Sequence, residues 1–182
     1  GDEVEFITIN VPKGEHRLPE FLAKNPTATV PVLELEDGTT ISECTAITEY
    51  LDHLVGEPIL TGRTPRERGI VHMMQRRAEA GLLDALTGYF HHATPGLGPD
   101  IETFQCAEWG NHQKTRAQNG FRYFDGVLAT QPFVAGDHLT MADITAFAGL
   151  SFANFIQFNV PTEFSNLHAW QARLSERPST RA

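Results

Sequence analysis

The chain has 182 residues, 41% of them hydrophobic, enough apolar material for one large or two small cores and too much for a disordered chain. Acids outnumber bases 23 to 14, for a formal net charge of −9, so there is no uniformly basic surface to meet a phosphate backbone and no nucleic-acid partner is expected. No stretch approaches the roughly 20 apolar residues of a membrane span: the most apolar, residues 140–158, is broken by Asp143, Asn154 and Gln157. No membrane association is expected. Cys44 and Cys106 stand far apart with no CxxC pair and no secretory leader, which predicts a reducing, cytoplasmic setting without disulfides.

The negative charge is confined to the first third. Residues 1–60 carry twelve acids and three bases, whereas residues 61–182 carry eleven of each. Patterning changes at the same place, which predicts a boundary in residues 55–64 (VGEPILTGRT). Before it the order reads strand, helix, strand, strand, helix. Residues 4–11 (VEFITINV) are rich in β-branched side chains and stop at Pro12, a strand pattern. Residues 18–24 form a short helix that ends ahead of Asn25-Pro26, since a residue preceding proline is pushed out of the helical region. Residues 30–36 run through Asp37-Gly38 into residues 39–41, the signal of a hairpin with a two-residue turn. Ala46, Ile47, Tyr50, Leu51 and Leu54 then recur at helical spacing over residues 43–54.

After the boundary the chain reads as helical. Thr64-Pro65-Arg66-Glu67 is a capping box with proline at the first helical position, opening a helix to about Leu83. A long helix from about Asp100 carries Phe121, Phe124 and Leu128 on one stripe. Thr140-x-x-Asp143 opens a helix over residues 141–155 that is apolar nearly all round, the expected centre of a bundle. Leu167, Trp170 and Leu174 mark a last amphipathic helix before Pro178. Thr140 and Asp143 are assigned to folding, with a cap worth typically about 1 kcal/mol.

An α/β module followed by an all-helical one resembles the glutathione S-transferase family, and four segments carry the likeness. Residues 13–33 (KGEHRLPEFLAKNPTATVPVL) are similar to the segment holding the family's Val-Pro turn, and residues 41–47 (ISECTAI) to its Glu-Ser-x-Ala-Ile helix start. Residues 134–144 (VAGDHLTMADI) resemble its helix-opening box in the second domain, and Arg177-Pro178 its closing Arg-Pro. The resemblance implies a thioredoxin-like glutathione-binding domain over residues 1–56, a linker over 57–64 and an all-helical domain over 65–182 that contributes the substrate pocket. It also implies that the first domain's leading strand and helix, with the family's activating Tyr, Ser or Cys, would precede Gly1. No catalytic residue is therefore assigned.

The likeness further implies glutathione as co-substrate, a small electrophile as second substrate and a homodimer. Val30-Pro31 matches the position where the family has a cis proline after a residue that pairs in strand fashion with the cysteinyl part of glutathione; an X-Pro bond makes cis accessible at about 0.5–1 kcal/mol. Glu43-Cys44 falls at a helix start, whose free N–H groups and positive dipole end suit a carboxylate. Cys44, whose S–H is the weaker donor, stands where the family usually has Ser, and reads equally as a small buried filler. Glu43 could receive the glutamyl amino group or simply favour the helix start. His16 matches a histidine that some classes place near the glycine end of glutathione, and also reads as an exposed loop residue. A polar or basic residue of the family's Asn-Pro segment is replaced here by Ala28 or Thr29.

In the second module Arg76 and Arg77 read as anion contacts, as subunit contacts or as solvated charges, and Tyr89, Phe90 and His91 follow a long helix as candidates for the electrophile pocket. His91, His92, His112 and Cys106 lack zinc-ligand spacing, so no metal is expected. Three functions follow: conjugation of glutathione thiolate to an electrophile; a glutathione-dependent isomerase, dehalogenase or disulfide reductase on the same scaffold; or a non-catalytic binding module of transferase-like fold.

Overall fold

The computed structural model describes residues 4–54 and 56–180, so Val55, at the head of the expected boundary segment, lies outside the described residues. The chain divides into two compact units, Gly1–Pro58 and Ile59–Ala182.

In the first unit two short 3₁₀ turns, Val11–Lys13 and Glu15–Arg17, lead into helix α1, Pro19–Leu22. A β-hairpin, β1 Val32–Glu34 and β2 Thr40–Ser42, and helix α2, Cys44–Leu54, complete it. The strands are antiparallel in the register Val32 with Ser42, Leu33 with Ile41 and Glu34 with Thr40. The predicted two-residue turn is instead a three-residue loop. Gly38 N–H donates to Leu35 O at 2.9 Å, Leu35 N–H donates to Thr39 O at 2.8 Å, and Gly38 takes the left-handed conformation at φ 83° that closes a type I turn onto the second strand. Asp37 accepts from Thr39 N–H at 2.9 Å, and that backbone donor holds its carboxyl below its ordinary value. The Thr40 hydroxyl donates to Lys24 O at 2.9 Å and ties β2 to the end of α1.

The strand expected over residues 4–11 is not formed. Residues 4–10 carry no regular structure, and Phe6 is 90% exposed. β propensity describes fit to a neighbouring strand, and among the described residues none pairs with this segment.

The second unit is helical: α3 Pro65–Ala78, a π turn Glu79–Leu83, α4 Asp84–Ala93, α5 Ala107–Leu128, α6 Met141–Phe155 and α7 Ser165–Ser175. The capping box at α3 is present as read, with Glu67 N–H donating to Thr64 Oγ1 at 3.2 Å and Thr64 N–H to Glu67 Oε2 at 3.4 Å. The helix predicted to start near Asp100 starts at Ala107. The preceding loop is held open by side chains: Glu102 Oε1 accepts from Leu97 N–H at 2.9 Å, and Gln105 Nε2 donates to His91 O and Thr94 O at 2.7 and 2.8 Å. The core gathers Leu82, Leu86, Phe121, Phe124, Leu150 and Trp170, all at most 1% exposed. α6 supplies its centre while leaving Ile144 and Phe155 exposed. α5 crosses the π turn so closely that a Cβ on Gly120 would lie 2.2 Å from Gly81 O.

Asp143 does more than cap α6. Wholly buried, it accepts from Thr140 N–H and Oγ1, both at 3.0 Å, and also from Val134 N–H at 2.8 Å and Trp170 Nε1 at 3.1 Å. It joins the loop before α6 to α7. Burial pushes its carboxyl above its ordinary value, and the four donors pull the other way. Among the described residues no helix is long and apolar enough to cross a membrane.

Candidate functional site

The hairpin register decides which predicted site residues meet. Val30 and Pro31 precede β1, Glu43 and Cys44 follow β2, and the pairing of Val32 with Ser42 brings both pairs to the same end of the hairpin. The Val30–Pro31 peptide bond is cis. Val30 lies beyond the last paired residue, Val32, and is 45% exposed.

Glu43 sits at the opposite corner in the left-handed region, φ 70°, while its carbonyl accepts the first helical bond, from Ile47 N–H at 3.0 Å. A side chain there costs on the order of 1–2 kcal/mol, a strain met repeatedly at functional sites. Cys44 is exposed at the first residue of α2, which overturns the buried-filler reading. The 11 residues of α2 direct their N-terminal amides toward this hairpin end.

His16 is placed by the 3₁₀ turn Glu15–Arg17, outside the hairpin, and nothing in the strand register draws it to the same end. It is half-buried rather than an exposed loop residue, and its Nδ1 is buried with no partner among the described residues.

Ahead of Val30 the chain is organised by a residue that sequence reasoning treated only as a helix stop. Asn25, 2% exposed, donates from Nδ2 to Thr29 O at 2.8 Å and to Thr29 Oγ1 at 3.0 Å. Its Oδ1 accepts from Thr27 Oγ1 at 2.8 Å and Thr27 N–H at 3.3 Å. Between the two threonines Ala28 is held left-handed, φ 56°. An Asn-Pro dipeptide flanked by two threonines is the signal that could have shown this, because short polar side chains bond their own backbone at turns.

In the second unit Tyr89, Phe90 and His91 share α4 but are engaged in packing. Tyr89 meets Phe158 edge-on at 5.2 Å, with Lys114 Nζ 5.6 Å from its ring centre, and Phe90 meets Phe152 at 5.7 Å. His91 Nδ1 pairs with Glu102 Oε1 at 2.7 Å. The carboxyl of Glu102 is held below its ordinary value, first by Leu97 N–H and then by His91. Arg76 pairs with Glu79 and Asp84, and Arg77 donates to Tyr123 Oη at 2.6 Å. A cleft of about 460 Å³, lined by Arg77, Gly81, Arg116, Asn119 and Tyr123 among others, lies between the π turn and α5 and includes none of Tyr89, Phe90 and His91. Among the described residues no group of three or more His, Cys, Asp or Glu side chains could hold a metal ion.

Comparison with known proteins gives this geometry its context. Residues 2–54 match the family model for the glutathione S-transferase N-terminal domain, and residues 101–178 that for the C-terminal domain. Over 178 residues the chain is 58% identical to glutathione S-transferase 2 of Saccharomyces cerevisiae, covering 98% of this chain and 76% of that one. The chain belongs to the glutathione S-transferase family.

Solved glutathione S-transferase relatives share the fold closely. The crystal structure of Gtt2 from Saccharomyces cerevisiae superposes with a TM-score of 0.94 at 58% identity, over 97% of this chain and 85% of that one. A glutathione S-transferase domain-containing protein of Marinobacter aquaeolei gives a TM-score of 0.93 at 55% identity, over 96% and 85%. Drosophila melanogaster glutathione S-transferase D7 is 30% identical over 93% of this chain and 72% of that one. The expected fold, a thioredoxin-like N-terminal domain followed by a helical C-terminal domain, is therefore the fold of the chain.

Proposed function

We propose that the protein is a cytoplasmic, homodimeric glutathione transferase that joins the glutathione thiolate to a small electrophile. The support is family membership together with the hairpin register, which sets Val30 and the opening of α2 side by side. Val30, 45% exposed and outside the paired residues of the hairpin, would offer its backbone for strand-like pairing with the cysteinyl residue. The first amides of α2 suit the γ-glutamyl carboxylate, and Glu43 suits its ammonium group. His16, with a free buried ring nitrogen, would take the glycine end, and Cys44 would give a weak S–H bond where most of the family gives a hydroxyl.

In the reaction the thiol loses its proton, the sulfur lone pair forms a C–S bond at the electrophilic carbon, and the leaving group departs with its bonding pair. The protein's task is to hold the sulfur as thiolate near neutral pH, beside the acceptor carbon. Tyr89, Phe90 and His91 remain proposed contacts for the electrophile, and no catalytic residue is assigned among the described ones. The test is retention on immobilised glutathione combined with turnover of an activated aryl halide. Both are expected. Retention with turnover only of a disulfide, a haloalkane or an isomerisable substrate would move the protein to one of those activities, and neither retention nor turnover in a folded chain would make it a binding module.

A further inference from the structure

We infer that Asn25 is a positioning residue that aims the Val30 amide at the thiol peptide, an inference that rests on the glutathione reading above. A peptide unit is planar, so the carbonyl of Thr29 and the N–H of Val30 belong to one rigid plate. Asn25 Nδ2 grips that plate at the Thr29 oxygen, 2.8 Å away, and thereby fixes the direction of the Val30 N–H on its other side. The grip is rigid for two reasons. Asn25 is 2% exposed, and all of its hydrogen-bonding groups are committed, two donors to Thr29 and the oxygen to Thr27. The same bonds hold Ala28 in a left-handed conformation that an unaided alanine avoids. Without them the loop would relax and the plate would turn, and a ligand that pairs with Val30 would have to reorder it on binding.

The two halves of the network can be separated by substitution. Asn25→Asp keeps an acceptor for Thr27 but loses both donors to Thr29 and sets a negative oxygen against the Thr29 carbonyl. Thr27→Ala removes two hydroxyl bonds, to Asn25 Oδ1 and with Thr29 Oγ1, and leaves Asn25 Nδ2 on the Thr29 carbonyl, so the plate stays held. Both variants lower stability, so a purely structural role would make glutathione affinity follow the melting temperature in both.

The inference predicts that Asn25→Asp weakens glutathione binding by about tenfold or more, the loss expected for one mispaired buried hydrogen bond. It predicts that Thr27→Ala leaves affinity within about twofold at a comparable loss of melting temperature. In kinetics the Asn25→Asp defect falls on KM for glutathione, with kcat at saturation little changed. Calorimetry on folded samples and steady-state rates at varied glutathione give these readouts. Equal affinities of wild type and Asn25→Asp, or equal losses in both variants, would overturn the inference while leaving the glutathione reading intact. A folded wild type that binds no glutathione would overturn both.

Discussion

Replacing Asp143 by alanine is the sharpest perturbation of the second unit. The carboxylate accepts from three N–H groups, of Val134, Thr140 and Trp170, whose residues are at most 1% exposed. With no acceptor and no route for water, each N–H loses about 1–3 kcal/mol. Relief of the buried carboxylate's own desolvation offsets part of the sum. A net loss of about 3–5 kcal/mol remains, several times the roughly 1 kcal/mol of a simple helix cap. At about 2–4 °C per kcal/mol for a protein of this size, the melting temperature should fall by on the order of 10 °C. Thermal and urea unfolding measure the change, and calorimetry with glutathione below the transition should find affinity unchanged. A loss below about 1 kcal/mol would refute the bridging role of Asp143, and a selective loss of affinity would refute its assignment to folding.

Three more outcomes are expected. Gly120→Ala places a methyl group 2.2 Å from Gly81 O, so α5 and the π turn must separate at a cost of about 1–3 kcal/mol; urea unfolding with no loss would contradict the close crossing. Glu102 has a folded value below its unfolded one, so its contribution is present above the unfolded value and is lost as pH falls through the folded one. Protease cleavage of the loop at residues 94–105 should therefore rise on acidification in the wild type and be raised at every pH in Glu102→Gln, and a pH-independent wild type would contradict the latch formed with His91. Cys44→Ser should preserve or tighten glutathione binding, since a hydroxyl donates better than a thiol; clear weakening by calorimetry would give Cys44 a different role.

The helical unit was largely legible in the sequence because its signals are local. The start of α6 at Met141 follows from Thr140 and Asp143, and the three residues that marked α7 are all buried. What escaped was non-local. Asp125 on α5 accepts from Asn166 and Leu167 N–H at 2.9 and 3.0 Å and so caps α7 from 41 and 42 residues away. The loop before α5 is fixed by side chains rather than by any backbone pattern, and the segment at residues 4–10 has strand composition without a strand partner.

Of the candidate site, Val30, Pro31, Glu43 and Cys44 were legible through motif likeness, and the hairpin signal set them near one another. The register came from the three-residue loop rather than the expected two-residue turn, a distinction set by where glycine falls in the loop. The role of Asn25 was hidden because it lies in bonds to threonines two and four residues further on.

The central claim is that one end of the β1–β2 hairpin, with the first turn of α2, receives glutathione. Amide resonances of the isotope-labelled protein, followed during a glutathione titration, test it most directly. The account predicts that Val30, Val32, Glu43 and Cys44 shift together along a single saturation curve; shifts confined to one side of the hairpin end, or found only in the helical unit, would contradict it.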